Sequence, residues 1–339
     1  MRSVRTVRIV ERLLATGFLM VAIAIFVFFV MRYLPGDPVD LIMGQEGNVP
    51  QEQIDALRRQ YGLDQPLFVQ LGNYLRNLVR GDLGTSVVQR RAVHELLLAR
   101  LPATIELSLG AIIVAVVIAV PVGVVSAYWH NSAVDRVSMA ITFIGVSMPP
   151  FWLGIVLIIV VSAQWQLLPV GGRIEIGLEP AQITGLYVVD SLLTGNSQAL
   201  FSSLKHLILP SVTLGAPVAA VLARVLRSSM LDALAQDYVR LARAKGADEL
   251  IVVLKHAFRN ALIPSTTILG LEVGSLLGGN MIVETVFSWP GIGRLTVESI
   301  FARDYVVVQG VVMVYVFIFV LVNFLVDIAY TLLNPRITL

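Results

Sequence analysis

The length of its apolar runs constrains this chain more than any other feature. Between Ala103 and Ala127 the one charged side chain is Glu106. That stretch exceeds the roughly 18 to 20 residues with which an α-helix crosses a hydrocarbon layer about 30 Å thick. Similar runs lie at about Leu13–Tyr33, Val137–Ala163, His206–Ser228, Ala261–Val283 and Val306–Ala329. The expectation is an all-α integral membrane protein, a single transmembrane domain over residues 1–339 with six spans. Composition agrees: 14% of residues are charged and 56% hydrophobic, against about 25% charged in a soluble domain.

Charge also excludes classes of function. The net charge is +2, with no basic block or stripe, so no nucleic-acid partner is expected. Cysteine is absent, and His94, His130, His206 and His256 are scattered, so neither thiol chemistry nor a metal site made by this chain is expected. Arg2, Arg5, Arg8 and Arg12 precede the first run like the front of a signal sequence. The apolar core continues through FVFFVMRYL without a small-residue cleavage site, which reads as a retained anchor.

An even number of spans puts both termini on one side, and the four N-terminal arginines place that side in the cytoplasm. The inner segments then hold Arg136, Arg224, Arg227, Arg240, Arg243, Lys245, Lys255, Arg259 and Arg336, and the short outer loops only Arg173, Lys205, Arg294 and Arg303. The outer loop 34–102 is too long to obey the rule. In it Ile54, Leu57 and Tyr61, then Phe68, Leu71, Leu75 and Leu78, recur at helical spacing after Pro50, which predicts a small helical cap. Packing on the bundle's rim and docking of a partner both fit that cap.

Between the fourth and fifth spans, in the cytoplasmic loop 229–260, stands Asp237-Tyr238-Val239-Arg240-Leu241-Ala242-Arg243-Ala244-Lys245-Gly246. Asp237 can cap a helix, and Gly246 can take the left-handed conformation that closes one. Leu250, Val253, Leu254 and Ala257 then repeat at helical spacing toward Pro264. A rigid elbow that a partner could hold and a merely solvated basic loop are both compatible with this pattern.

The segment Asp237–Gly246 resembles the coupling loop of bacterial ABC importer permeases, in the version of the dipeptide and oligopeptide permease family. Leu34-Pro-Gly-Asp-Pro38, Gly62-Leu-Asp-Gln-Pro66, Gly81-Asp-Leu-Gly-Thr-Ser86, His256-Ala-Phe-Arg-Asn-Ala-Leu-Ile-Pro264, Phe287-Ser-Trp-Pro-Gly-Ile-Gly-Arg294, Arg303-Asp-Tyr305 and Asn334-Pro-Arg336 are similar to that family's first permease subunit, in order and spacing. Arg240-Leu241-Ala242 stands where importers in general have Glu-Ala-Ala, a departure the peptide branch shares. The resemblance implies a type I importer-like fold in the bacterial inner or plasma membrane. It also implies a complex with a homologous second permease, two ATPases and an extracytoplasmic solute-binding protein. ATP and magnesium would sit on those ATPases, with no cofactor on this chain. Its own lysines, Lys205, Lys245 and Lys255, follow leucine, alanine and leucine, so no phosphate-binding P-loop is present. No enzymatic activity of its own is expected. Di- or oligopeptides lead as cargo by resemblance, with nickel, glutathione or another small solute as alternatives.

Within the spans, Gly270, Gly274 and Gly278 form a small-residue stripe suited to close helix packing, and compatible with a substrate pathway. Glu272 lies inside the fifth span, where a charge must face protein or water. The family often has Gln there, so Glu272 either meets a substrate's amino group or is a packing residue. Glu106 and Asp327 lie near span ends within reach of the interface. Pro149-Pro150 should bend or break the third span. Intramembrane carboxylates would also suit an ion-coupled secondary transporter, a class with no need of the Asp237–Gly246 loop. An intramembrane hydrolase finds no motif here.

Overall fold

The computed structural model describes residues 2–33, 51–60, 62–277 and 280–333, with helical side chains outside 2–16, 51, 54, 57, 60 and 325–333. The Leu34–Pro38 and Asn334–Arg336 motifs, Pro50, Tyr61, Gly278 and the side chains of Ile54, Leu57 and Asp327 lie outside the described residues. The elements are α1 (Arg2–Tyr33), α2 (Gln51–Gln60), α3 (Leu67–Val79), α4 (Val93–Tyr128), α5 (Ala133–Ser147), α6 (Pro150–Leu157), α7 (Tyr187–Leu193), α8 (Ser197–Leu234), α9 (Asp237–Ala244), α10 (Glu249–Leu277), α11 (Met281–Val286), α12 (Ile292–Phe301) and α13 (Tyr305–Leu333). Two π turns interrupt them, at Ile158–Gln164 after α6 and at Val252–Ala257 inside α10.

Four of the six apolar runs each fall on one helix, while the fifth, expected over Ala261–Val283, follows α10 only to Leu277 and its last residue, Val283, lies on the short helix α11. Among the described residues α4, α8, α10 and Tyr305–Phe324 of α13 are long and apolar enough to cross a membrane, and Gly17–Tyr33 of α1 is a shorter apolar helix. The third run is broken as expected. Helix α5 ends at Ser147, α6 starts at Pro150 with no side-chain cap, and the two axes meet at 103°. Proline at the first helical position needs no donor, whereas two consecutive prolines inside one helix would remove two.

Helix α8 is the axis of the bundle, packed against α4, α5 and α10. It approaches α4 through small residues, because lipid tails are as apolar as leucine and close packing must hold transmembrane helices together. Ala111, Ala115 and Ala119 face Ala219 and Ala223 in one buried cluster. A Cβ on Gly215 would come within 2.6 Å of the Ala111 carbonyl, and one on Gly123 within 3.0 Å of the Ala223 carbonyl. Gly215→Leu is therefore expected to separate α4 from α8 and abolish assembly, read as loss of the subunit from the membrane fraction.

The end of the bundle opposite α9 is locked by buried polar contacts. Arg173, in the 165–196 loop, binds Glu106 of α4 through Nη2 at 2.6 Å and Nε at 2.8 Å, with both side chains 7% exposed. Arg173 also donates to the Gly185 carbonyl and stacks 3.8 Å over the Tyr187 ring, while Glu106 accepts the Val188 amide. The expectation that Glu106 merely reaches the interface is thus corrected: a carboxylate among helices is tolerable only when paired and hydrogen-bonded. In the hairpin 280–304, Trp289 is wholly buried and donates to the Ala103 carbonyl at 2.8 Å. Glu284 accepts from Thr104 Oγ1 at 2.9 Å and from the Arg294 amide at 2.9 Å. Burial pushes the Glu284 carboxyl above its ordinary range against those hydrogen bonds.

Asp304, buried before α13, accepts from the Ser86 hydroxyl and from the Val88 amide at 3.3 Å. Two of the sequence motifs, Gly81–Ser86 and Arg303–Tyr305, are therefore two sides of one contact. Asp304→Ala should leave those donors unsatisfied and cost about 1–3 kcal/mol, measurable as a lowered unfolding midpoint of the purified protein. Helix α3 packs on α1, with Tyr74 stacked on Phe28 at 5.7 Å. The rim-packing reading of the 34–102 cap thus holds for this helix.

Candidate functional site

At the other end, the chain leaves α8 at Leu234, turns through Ala235-Gln236, and forms α9 and then α10. Of the two readings open for 229–260, the helical elbow is the one found, and the solvated loop is not. The N-cap of α9 is Gln236 without a side-chain bond, and Asp237 is the first helical residue. This corrects the expected cap: Asp237 acts on the helix through its charge in the first turn and its pairing with Arg240 one turn on.

The C-terminus is as expected. Gly246 has φ +78, its amide bonds the Arg243 carbonyl at 2.9 Å, and the Ala247 amide bonds the Ala242 carbonyl at 3.2 Å. These paired bonds form the Schellman motif, for which glycine carries no steric penalty. Asp248 caps α10 by accepting the Leu250 amide at 2.8 Å. Two helices are thereby joined by a short link with few free torsions.

Side chains hold α9 against the bundle. Val239 is completely buried, and α9 packs on the π turn of α10, where Val252 and Val253 are also buried. Tyr238 Oη accepts from Asn260 Nδ2 at 2.9 Å. Arg243 binds Glu249 in fork geometry at 2.6 and 3.1 Å, which raises the Arg243 pKa. Both partners are partly exposed, so the pair is worth at most about 1 kcal/mol. Deeper in, Arg227 of α8 binds both carboxylate oxygens of Asp135 at 2.7 Å and ties α8 to the start of α5. The expected elbow is therefore rigid.

Its free face is unusual for water. Tyr238, Leu241, Leu250, Ile251 and Leu254 are exposed around Arg240, Ala244 and Lys245. Burying Leu241 alone would contribute about 1.5–3 kcal/mol, and an apolar patch rimmed by charge marks a protein contact.

Two family models account for nearly the whole chain. Residues 119–339 match the binding-protein-dependent transport system inner membrane component, and residues 6–108 match the N-terminal part of such membrane components. The chain belongs to this permease family. Relatives include the probable D,D-dipeptide transport system permease protein DdpB of Escherichia coli K12, 43% identical over 316 residues (93% of this chain, 92% of the relative). The di/tripeptide transport system permease protein DppB of Pseudomonas aeruginosa is 43% identical over 315 residues, 93% and 94% of the two chains. The glutathione transport system permease protein GsiC of E. coli strain CFT073 is 41% identical over 329 residues, 97% and 98%. Among solved structures, the MetNI methionine ABC transporter in an inward-facing form matches with TM-score 0.55 at 18% identity, covering 71% of this chain and 97% of its own. That likeness bears on the fold, which is that of an ABC importer's membrane subunit.

In this permease the remaining candidates are spread along α10. Gly270 and Gly274 are buried, and a Cβ on Gly274 would meet the Phe319 ring at 3.5 Å. The stripe thus accommodates α13 through a side chain rather than a backbone. Glu272 is half-buried and has no hydrogen bond or ion pair among the described residues. Lys255, His256 and Arg259 line one cleft with Tyr238 and Asn260. Their spacing of four, Lys255 to Arg259, was a signal available in the sequence.

Proposed function

We propose that this permease is one half of a heterodimeric pore in an ATP-driven importer of di- or oligopeptides, with both termini cytoplasmic. Its other half would be a homologous permease, with two ATPases carrying ATP and magnesium and a solute-binding protein delivering cargo. The single observation that carries the proposal is the α9 elbow, a short helix anchored by Val239 and closed by Gly246. It presents Tyr238, Leu241 and Arg240 outward, as a lever seated in a partner must. A rigid lever matters because alternating access turns nucleotide-driven motion into rotation of whole helices, and a floppy link would absorb the motion.

The direct experiment reconstitutes the permease with its partner subunits and binding protein in proteoliposomes and follows labelled dipeptide. Uptake should require ATP and persist when ion gradients are collapsed. Uptake driven by an ion gradient without ATP would contradict the proposal in favour of a secondary transporter. The glutathione permease at 41% identity supports a second cargo reading. Glutathione should then compete with dipeptide at comparable concentrations, and failure to compete removes that reading.

Glu272, unpartnered inside a span, is assigned the cargo's ammonium group. Glu272→Gln should lower uptake of dipeptides with a free amino terminus by roughly tenfold, as for a lost charge-assisted bond, and spare N-acetylated ones. Equal losses would reduce Glu272 to a packing role.

A further inference from the structure

The cleft between α9 and the first turns of α10 encloses about 580 Å³, within the size range of small-molecule sites. Lys255 and Arg259 are exposed to it and His256 is half-buried beside them, and none of the three has an ion-pair partner among the described residues. Of the acids on α9 and at the start of α10, Glu249 pairs with Arg243 and Asp237 with Arg240, while Asp248 caps α10 at the Leu250 amide. The cleft therefore keeps an uncompensated positive field, and low-dielectric walls such as those of Leu262 and Ile263 focus it.

A second observation shows what can reach this cleft. Along α10, Ala261, Ser265, Gly270 and Leu276 are buried in the bundle, whereas Arg259, Ile263, Thr267, Leu271 and Ser275 are exposed. The exposed stripe starts at the cleft and climbs the span. Ser275 has no hydrogen-bond partner among the described residues, and an unsatisfied hydroxyl at membrane depth belongs on a water-filled path rather than against lipid.

Building on the peptide-importer reading above, we infer that Lys255, Arg259 and His256 form a carboxylate site at the cytoplasmic exit, holding the C-terminus of a peptide as it leaves. Arg and Lys are the donors suited to a carboxylate. Glu272 lies thirteen residues farther along α10, about 20 Å at 1.5 Å per residue, whereas an extended dipeptide spans only about 7 Å. The two sites are successive stations for the two ends of the cargo. Tyr238 joins α9 to the cleft through Asn260, so occupancy of the exit bears directly on the helix that faces the ATPase.

Lysine modification tests this on the purified transporter complex without binding protein. The chain has three lysines, Lys205, Lys245 and Lys255, which peptide mass spectrometry distinguishes after brief treatment with an amine-reactive reagent. Millimolar dialanine should slow labelling of Lys255 severalfold relative to Lys205 and Lys245, whose rates report the reagent consumed by the dipeptide's own amine, and dialanine amide should leave that ratio unchanged. In Arg259→Gln, an exposed position whose change leaves the core intact, protection by dialanine should fall by roughly tenfold in concentration. Equal protection by both compounds, or by neither, overturns the carboxylate site. Absence of ATP-dependent dipeptide uptake by the wild-type complex would instead sink the importer reading on which it rests.

Discussion

Replacing Gly246 with valine is expected to reduce transport by at least about tenfold while the permease still accumulates in the membrane. The backbone there stands at φ +78, and a Cβ would meet no atom within 4 Å. The whole penalty is therefore conformational, roughly 1–3 kcal/mol for a β-branched residue in the left-handed region. Relief requires loss of the paired bonds from Gly246 and Ala247, which would tilt α9 relative to α10. Gly246→Asn, a residue that tolerates this conformation, should retain most activity. Uptake and membrane abundance measured together decide the matter. Normal uptake in the valine variant would remove Gly246 from the account.

Among changes that leave the helix bundle assembled, the largest effect on stability is expected at Arg173. Arg173→Ala leaves Glu106 buried without its partner and strips the Gly185 carbonyl of a donor, a loss of about 3–5 kcal/mol. The 165–196 loop should come away from α4, seen as protease cleavage within 174–186 and a lower unfolding midpoint. Replacing both partners, Arg173→Met with Glu106→Gln, should recover much of that loss, because the cost lies in the stranded charge. A double variant as unstable as Arg173→Ala would show that packing over Tyr187, rather than the ion pair, holds the loop.

The legible and illegible parts of this molecule separate by range. Apolar length located the spans, and Pro149-Pro150 located the break, because both are consequences of local backbone chemistry. The 103° bend was not readable, since proline fixes where a helix stops and packing fixes where the next one points. The Schellman closure at Gly246 was readable from one residue type. The cap at Asp237 was misplaced by one residue, as caps often are when several polar residues adjoin. Leu250, Val253, Leu254 and Ala257 recur at one helical spacing, yet only Val253 and Ala257 are buried. A π turn at Val252–Ala257 shifts the helical phase there, and a strict 3.6-residue period cannot anticipate it.

Contacts between distant segments could not be read at all. In the sequence Arg173 reads as an outer-loop cation and Glu106 as an interfacial carboxylate, although each is the other's reason for being buried. Ser86 and Asp304 belonged to separate motifs that gave no sign of touching. The basic cleft is similar: Tyr238 and Asn260 meet only because α9 folds back on the π turn. Resemblance supplied the order of the motifs, and the three-dimensional arrangement supplies what each motif holds.

The central claim is that α9 is grasped by an ATP-hydrolysing partner on the cytoplasmic side. Because the chain has no cysteine, a single cysteine introduced at Leu241 gives a clean site for a short cross-linker in whole cells and in purified complexes. The account predicts capture of the ATPase subunit, at a yield that changes with bound nucleotide, and no labelling of that cysteine by a membrane-impermeant reagent outside intact cells. Labelling from outside, or cross-links that never contain the ATPase, would contradict it.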